Sequence, residues 1–379
     1  MLGAQGPKGC LRFLWLWVGG APGAEIVTAA ISKQLPRNAR RFWFTGFGVQ
    51  GVVYRSQDVM NTAASAYRPF QFGLLASILF FVGYTVVGWN GWGTPAAVEQ
   101  AVGEVSRWCE RVQPGLFHEP VNALSNLGFM VAGLWMLWCL GGDVRAGRQG
   151  LMFGHSPVAL LYAGAAIWLG PGSLLMHGTH TGWGGWADNL SMVMYILIPW
   201  LINVGAMGRW TSIRLLSIYT GLVLVYGVGR AVYGWGLGIN LDFFGLSITF
   251  WVISEVLYRF HAQSFRWLSG LVGFAVAGIF GITPIEMWEA PARYLWVILF
   301  WVPGILAPHA PSGRRNYWPW FFMGMGSYLL AFAIWQTGKP THPWCNPDSL
   351  IQAHGIWHLL SAVATACFFV FLRTERKLT

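Results

Sequence analysis

Residues 156–200 read SPVALLYAGAAIWLGPGSLLMHGTHTGWGGWADNLSMVMYILIPW. The run from 156 to 177 carries no acidic residue and no Lys or Arg, and it closes on His177. A second apolar run, 186–207, has Asp188 as its one carboxylate. About 20 apolar residues are enough to cross a hydrocarbon core as a helix. Two such runs joined by a short polar link read as a helical hairpin inside a membrane.

The composition of the whole chain agrees. Of 379 residues, 55% are apolar and 10% charged, against roughly 25% charged in average soluble domains. A soluble fold of this length could not cover its surface with so few charges. The 24 Trp and 49 Gly point the same way, since Trp gathers at membrane interfaces and Gly is frequent in membrane helices. Long apolar runs exclude an alternating β-barrel pattern. The net charge of +10 is scattered over short loops, where membrane topology accounts for it better than nucleic-acid binding does. The expected fold is therefore all-α, a multi-pass transmembrane bundle.

Ten candidate spans follow, near 71–89, 118–140, 156–177, 186–207, 212–233, 241–259, 267–285, 293–308, 318–338 and 350–372. The pair 267–285 and 293–308 is short and interrupted by Pro. If residues 1–70 are cytoplasmic and every candidate crosses, Arg107, Arg111, Arg230, Arg293 and Lys339 fall on the far side, and the other 19 of the 24 Lys and Arg on the cytoplasmic side. That is the bias of the positive-inside rule, with both termini cytoplasmic, the tail 373–379 included. Residues 1–70 form a basic amino-terminal segment, and 90–117 a loop with a surface helix at 97–112. Gly273, Ala277 and Gly281 follow the small-xxx-small spacing of packed membrane helices.

Polar groups inside a span are costly and need an explanation. Three clusters stand out: Glu110 with Glu119, Asn122, Ser125 and Asn126; Ser173 and His177 with Asp188; and the pair His354 and His358 at i, i+4. Each also has a structural reading. Asp188 could be a helix N-cap, Ser173 could bond a backbone carbonyl one turn back, the histidines could pair with each other, and 119–126 could join helices. Topology favours a shared site, because all these groups fall in the same extracytoplasmic layer. Three histidines with an open fourth position match catalytic zinc, which acidifies a bound water. Asp188 is then available to take a proton and Ser173 to donate to a developing oxyanion.

The set Ser173-xxx-His177, Asp188 and His354-xxx-His358 resembles the motifs of the alkaline ceramidase family, part of a membrane hydrolase superfamily that includes adiponectin-receptor-like proteins and GPI-lipid remodelling factors. Trp108-Cys109-Glu110, Glu119-xx-Asn122-xx-Ser125-Asn126 and Cys345-Asn-Pro with Gln352-Ala-His354 are similar to the ceramidase branch. The resemblance covers roughly 106–372. It implies a seven-helix core with zinc on His177, His354 and His358, Asp188 acting on the water, and Ser173 steadying the tetrahedral intermediate. The implied reaction is hydrolysis of ceramide or a related N-acyl lipid taken from the bilayer, giving a fatty acid and a sphingoid-type amine. About three helices are extra: the span at 71–89, and two inserted between Asp188 and His354.

The resemblance also implies a calcium site near the amino-terminal motif, and here this sequence departs from it. Arg107 and Val112 stand where oxygen ligands are needed, so a calcium ion wanting six to eight oxygens is not expected to bind tightly. Glu110, Glu119 and Asn122 then support the outer layer through other partners. A Cys109–Cys345 disulfide is implied too, on a side that is oxidising in a periplasm or an ER lumen; two free thiols are the alternative. Other functions to weigh are a lipid ester hydrolase or a receptor-like relative of the same fold, and, in a different class, a transporter or haem electron carrier. Transport favours broken helices and ionisable groups at the midplane, whereas these groups collect near one face.

Overall fold

The computed structural model describes residues 65–93, 101–102, 105–279 and 281–377. Most of the basic segment 1–70, with Cys10, lies outside the described residues. Helix α1, Arg68–Val87, opens the described part. It turns Leu75, Leu79, Val82 and Val86 outward, each more than half exposed, as a lipid-facing helix does. Of the expected surface helix at 97–112, residues 97–100 and 103–104 lie outside the described residues; the described ones form a short antiparallel ladder, β1 (Ala101–Val102) on β2 (Val105–Ser106), followed by a turn. Cys109 has a left-handed backbone, φ 76°, which no α-helix tolerates.

The core helices follow. α2 (Pro120–Ser125) and α3 (Leu127–Arg145) form one span with a joint at Asn126, then come α4 (Pro157–Thr179), α5 (Gly182–Met207), α6 (Ser212–Tyr233) and α7 (Phe243–Phe260). Pro157 starts α4 where its missing N–H costs nothing, and Thr181 caps α5 by accepting the Gly184 N–H at 3.1 Å. Among the described residues seven helices are long and apolar enough to cross a membrane, counting α13 (Ala353–Leu372) below. Close packing relies on glycine: a Cβ at Gly172 would run into Ser191 of α5, and one at Gly170 into Met130 of α3.

The expected spans at 267–285 and 293–308 are broken up. They become α8 (Gln263–Leu268), α9 (Leu271–Ile279), α10 (Pro284–Glu289), two 3₁₀ turns at Pro291–Arg293 and Leu295–Trp301, and α11 (Val302–Leu306). The nine residues of α9 rise about 14 Å, half of a hydrocarbon core. The sequence supplies the stops: Gly281 at φ 84°, Pro284 and Pro291 at helix starts, and a Thr283–Glu286 capping box that begins a new helix. Gly273 does serve packing, since a Cβ there would meet the Phe300 ring. α12 (Trp320–Gln336), 17 residues long, runs along α13. A last ladder pairs β3 (Gly313–Arg314) with β4 (Arg376–Lys377).

Buried ions gather where α3, α5, α7 and α13 end. Arg373 grips Asp143 through two bonds of 2.6 and 2.8 Å. Arg315 reaches Asn203 at 2.6 Å, Glu255 at 3.2 Å and Glu375 at 2.9 Å, with its guanidinium 3.9 Å from the Tyr258 ring centre. From His354 to Arg373 the rise is about 28 Å, so these pairs lie at the end of the bundle opposite the histidines.

Candidate metal centre

Three helix ends build the other pole. α4 carries Ser173 and His177 one turn apart on its last two turns, and α13 brings His354 and His358 in its first two. The entry to α2 is pinned onto the end of α4 by two backbone bonds, His118 N to Gly178 O and Glu119 N to His177 O, both 3.0 Å. Glu110 fastens the same corner. Its two carboxylate oxygens accept the N–H groups of Val121 and Asn122, each at 2.7 Å. Burial pushes the Glu110 carboxyl above its ordinary range, and those two donors pull it back in part.

His177, His354 and His358 are all buried, with ring centres 4.5 to 5.1 Å apart. His177 Nε2 and His354 Nε2 stand 3.1 Å from each other. One nitrogen from each of the three lies within 4.8 Å of the others, so the three could hold a metal ion. Their outer bonds leave the right lone pairs inward. His177 Nδ1–H donates to Glu119 Oε2 at 3.0 Å. Ser125 Oγ gives its proton to Asn122 O at 2.7 Å, so His358 Nδ1–H donates to Ser125 Oγ at 2.8 Å and faces Asn122 O at 3.1 Å. In both rings Nε2 is then the free base. Metal-ligating histidines commonly have this kind of carboxylate or carbonyl support.

Asp188 sits on the second turn of α5 and is 7% exposed. Thr181, not Asp188, is the N-cap of that helix, so the capping role is already filled. Ser173 is buried on α4. Glu119, wholly buried, accepts from His177, from Asn122 Nδ2 at 2.7 Å and from His180 Nε2 at 2.5 Å. Both Glu110 and Glu119 therefore spend their oxygens on protein donors. Cys109 and Cys345 form a disulfide, Cα to Cα 5.6 Å, which joins the loop before α2 to the loop before α13.

Two polar residues of this corner escaped the sequence reading. His180 takes the left-handed position that ends α4, φ 51°, and His118 holds Gln113 O through Nδ1 at 2.7 Å, with ring centres 5.3 Å apart. The available signal was proximity: His118 precedes Glu119, and His180 follows His177 by three residues. No curated protein matches this chain. The model of the family described as Ceramidase matches residues 105–378, a stretch that contains His177, His354, His358, Ser173, Asp188, Cys109 and Cys345. The chain belongs to the Ceramidase family.

Proposed function

We propose that this protein is a zinc-dependent membrane amidase that hydrolyses ceramide or a related N-acyl lipid into a fatty acid and a sphingoid-type amine. The observation that carries the reading is the meeting of three buried imidazoles from α4 and α13, with two ligand nitrogens 3.1 Å apart. Two nitrogens on a tetrahedral zinc at 2.0–2.1 Å lie about 3.3 Å apart, close to that spacing. Three imidazoles with one position left over form the donor set of a catalytic zinc. A zinc held by His177, His354 and His358 supplies Lewis acidity that makes a water a stronger acid.

The chain's own groups then divide the work. Asp188 accepts the proton of the attacking water and returns it to the departing amine nitrogen, so protons balance over the cycle. Ser173 donates its hydroxyl to the acyl oxygen as negative charge gathers there. Glu119 orients His177, and Ser125 with Asn122 orients His358. Substrate reaches the site laterally from the lipid, where apolar walls and a few convergent polar groups suit an acyl chain.

The same reading places both termini in the cytoplasm and the site near the extracytoplasmic or lumenal face. The bias of Lys and Arg supports it. The broken segment between α7 and α12 leaves that assignment intact, because two crossings or none return the chain to the same side. The test is fatty-acid release from a panel of amide and ester lipids by purified protein, with chelator and after zinc is restored. Chelator-sensitive release from ceramide that zinc recovers is expected. Release that ignores the chelator, or that comes from ester lipids alone, overturns the proposal.

A further inference from the structure

Of the three clustered histidines, His354 is held differently. His177 and His358 each donate Nδ1–H to an oxygen, whereas His354 Nδ1 is buried with no hydrogen-bond partner among the described residues. An indole covers it instead. The Trp108 ring stacks on the His354 ring with centres 4.5 Å apart and planes within 15°. Trp108 also packs against Trp335 of α12, ring centres 5.0 Å apart, and the Arg107 guanidinium lies 5.2 Å from the indole centre. Trp108 Nε1 is likewise buried without a hydrogen-bond partner among the described residues, so no indole hydrogen bond sets its position.

The backbone around Trp108 is what is fixed. The next residue, Cys109, is bonded to Cys345, and two residues on Arg111 donates its N–H to Pro347 O at 3.0 Å. Arg111 also forms a two-point ion pair with Asp348, holding that carboxyl below its ordinary range. Gln352, two residues before His354, ties down the same loop by donating to Ser349 O at 2.8 Å and Asn346 O at 3.1 Å. The loop that carries Trp108 and the loop that leads into His354 are thus one fastened unit.

From this arrangement we infer that Trp108 is a positioning residue that fixes the plane of the His354 ring by stacking, and that the Cys109–Cys345 disulfide keeps it in place. The inference rests on the metal-centre reading above and adds to it a contact that does the orienting work a hydrogen bond does for the other two histidines. A ring free to turn about its Cβ–Cγ bond presents its nitrogen to the metal for only part of the time, and loss of outer support at such sites lowers metal affinity about 10- to 100-fold.

Zinc affinity, read by equilibrium competition with a chromogenic chelator on the full chain in detergent, tests this without any turnover assay. Trp108→Leu is expected to weaken zinc binding about 10-fold, Trp108→Phe to recover most of that loss because it restores a stacking face, and a Cys109→Ser, Cys345→Ser pair to weaken it as Trp108→Leu does. Melting of the metal-free proteins is measured alongside. A purely structural role lowers that melting point and leaves zinc affinity alone, and this outcome overturns the inference. So does equal affinity in the Leu and Phe variants. If Trp108→Leu does not fold, Trp108→Met against Trp108→Phe makes the same comparison. Wild-type protein that holds no zinc refutes the metal centre itself. A zinc-binding wild type with unaffected Trp108 variants refutes only the role of the indole.

Discussion

Replacing Glu119 by Gln removes one charge and changes almost no volume, at a side chain that is wholly buried. The carboxylate takes three donors: His177 Nδ1 and Asn122 Nδ2 on Oε2, and His180 Nε2 on Oε1. Truncation to Ala strands all three, at about 1–3 kcal/mol each. The sum rivals the roughly 5–15 kcal/mol that holds a native protein together, so Ala is a poor probe. Gln has one oxygen and one NH₂. Its oxygen belongs at the Oε2 position, where two donors converge, and its NH₂ then faces His180. That ring can adapt by moving its proton to Nδ1, which has no partner among the described residues.

His177 therefore keeps a bond in Glu119→Gln but loses its ionic partner. A hydrogen bond to a charged group contributes about 1.5–3 kcal/mol and a neutral one about 0.5–1.5. The difference, about 1 to 1.5 kcal/mol, is close to one factor of ten in affinity. Chelator competition should show about 10-fold weaker zinc binding, with one zinc per chain still reached at saturation. Unchanged affinity would refute the view that Glu119 orients His177. Complete loss of binding would refute it in the other direction, by making Glu119 a ligand.

Other substitutions separate chemistry from scaffold. Asp188→Asn should lower turnover about 10²- to 10⁴-fold and leave zinc content at the wild-type level; fatty-acid release at the wild-type rate removes it as the base. Ser173→Ala should reduce kcat by about 10²–10³ with little change in KM, measured on a short-chain amide lipid. At the far end, Arg315→Ala takes the cation away from the buried Glu255 carboxylate and leaves it the neutral donors Asn203 and Tyr317, which should cost about 3–5 kcal/mol. That loss is read as a lower melting temperature in detergent, and zinc affinity should stay as it was.

Much of the fold could be read from local pattern. Runs of twenty or so apolar residues announce helices that cross a bilayer, because such a run has no stable alternative in lipid. The i, i+4 spacing of Ser173 with His177 and of His354 with His358 places each pair on one helix face. Counting crossings puts Glu119, His177, Asp188 and His354 at the same end of the bundle. Where pattern misled, the cause was local too. Hydropathy over 267–308 is that of a span, but Gly281, Pro284 and Pro291 stop one helix and start another. Over the described residues 101–102 and 105–112 a helical reading gave way to the ladder of β1 on β2 and to the left-handed turn at Cys109.

Sequence alone therefore determined the membrane class and which polar residues share a helix face, since each depends on composition and on periods of a few residues. Tertiary structure decided how they are held. Ser125 meets His358 across 233 positions, Trp108 covers His354, His180 turns onto Glu119, and Arg373 closes on Asp143 across 230. No local period encodes such partners. A buried donor or charge must find whatever acceptor the packed helices bring within about 3 Å, and that is settled only when distant turns of chain come to lie side by side.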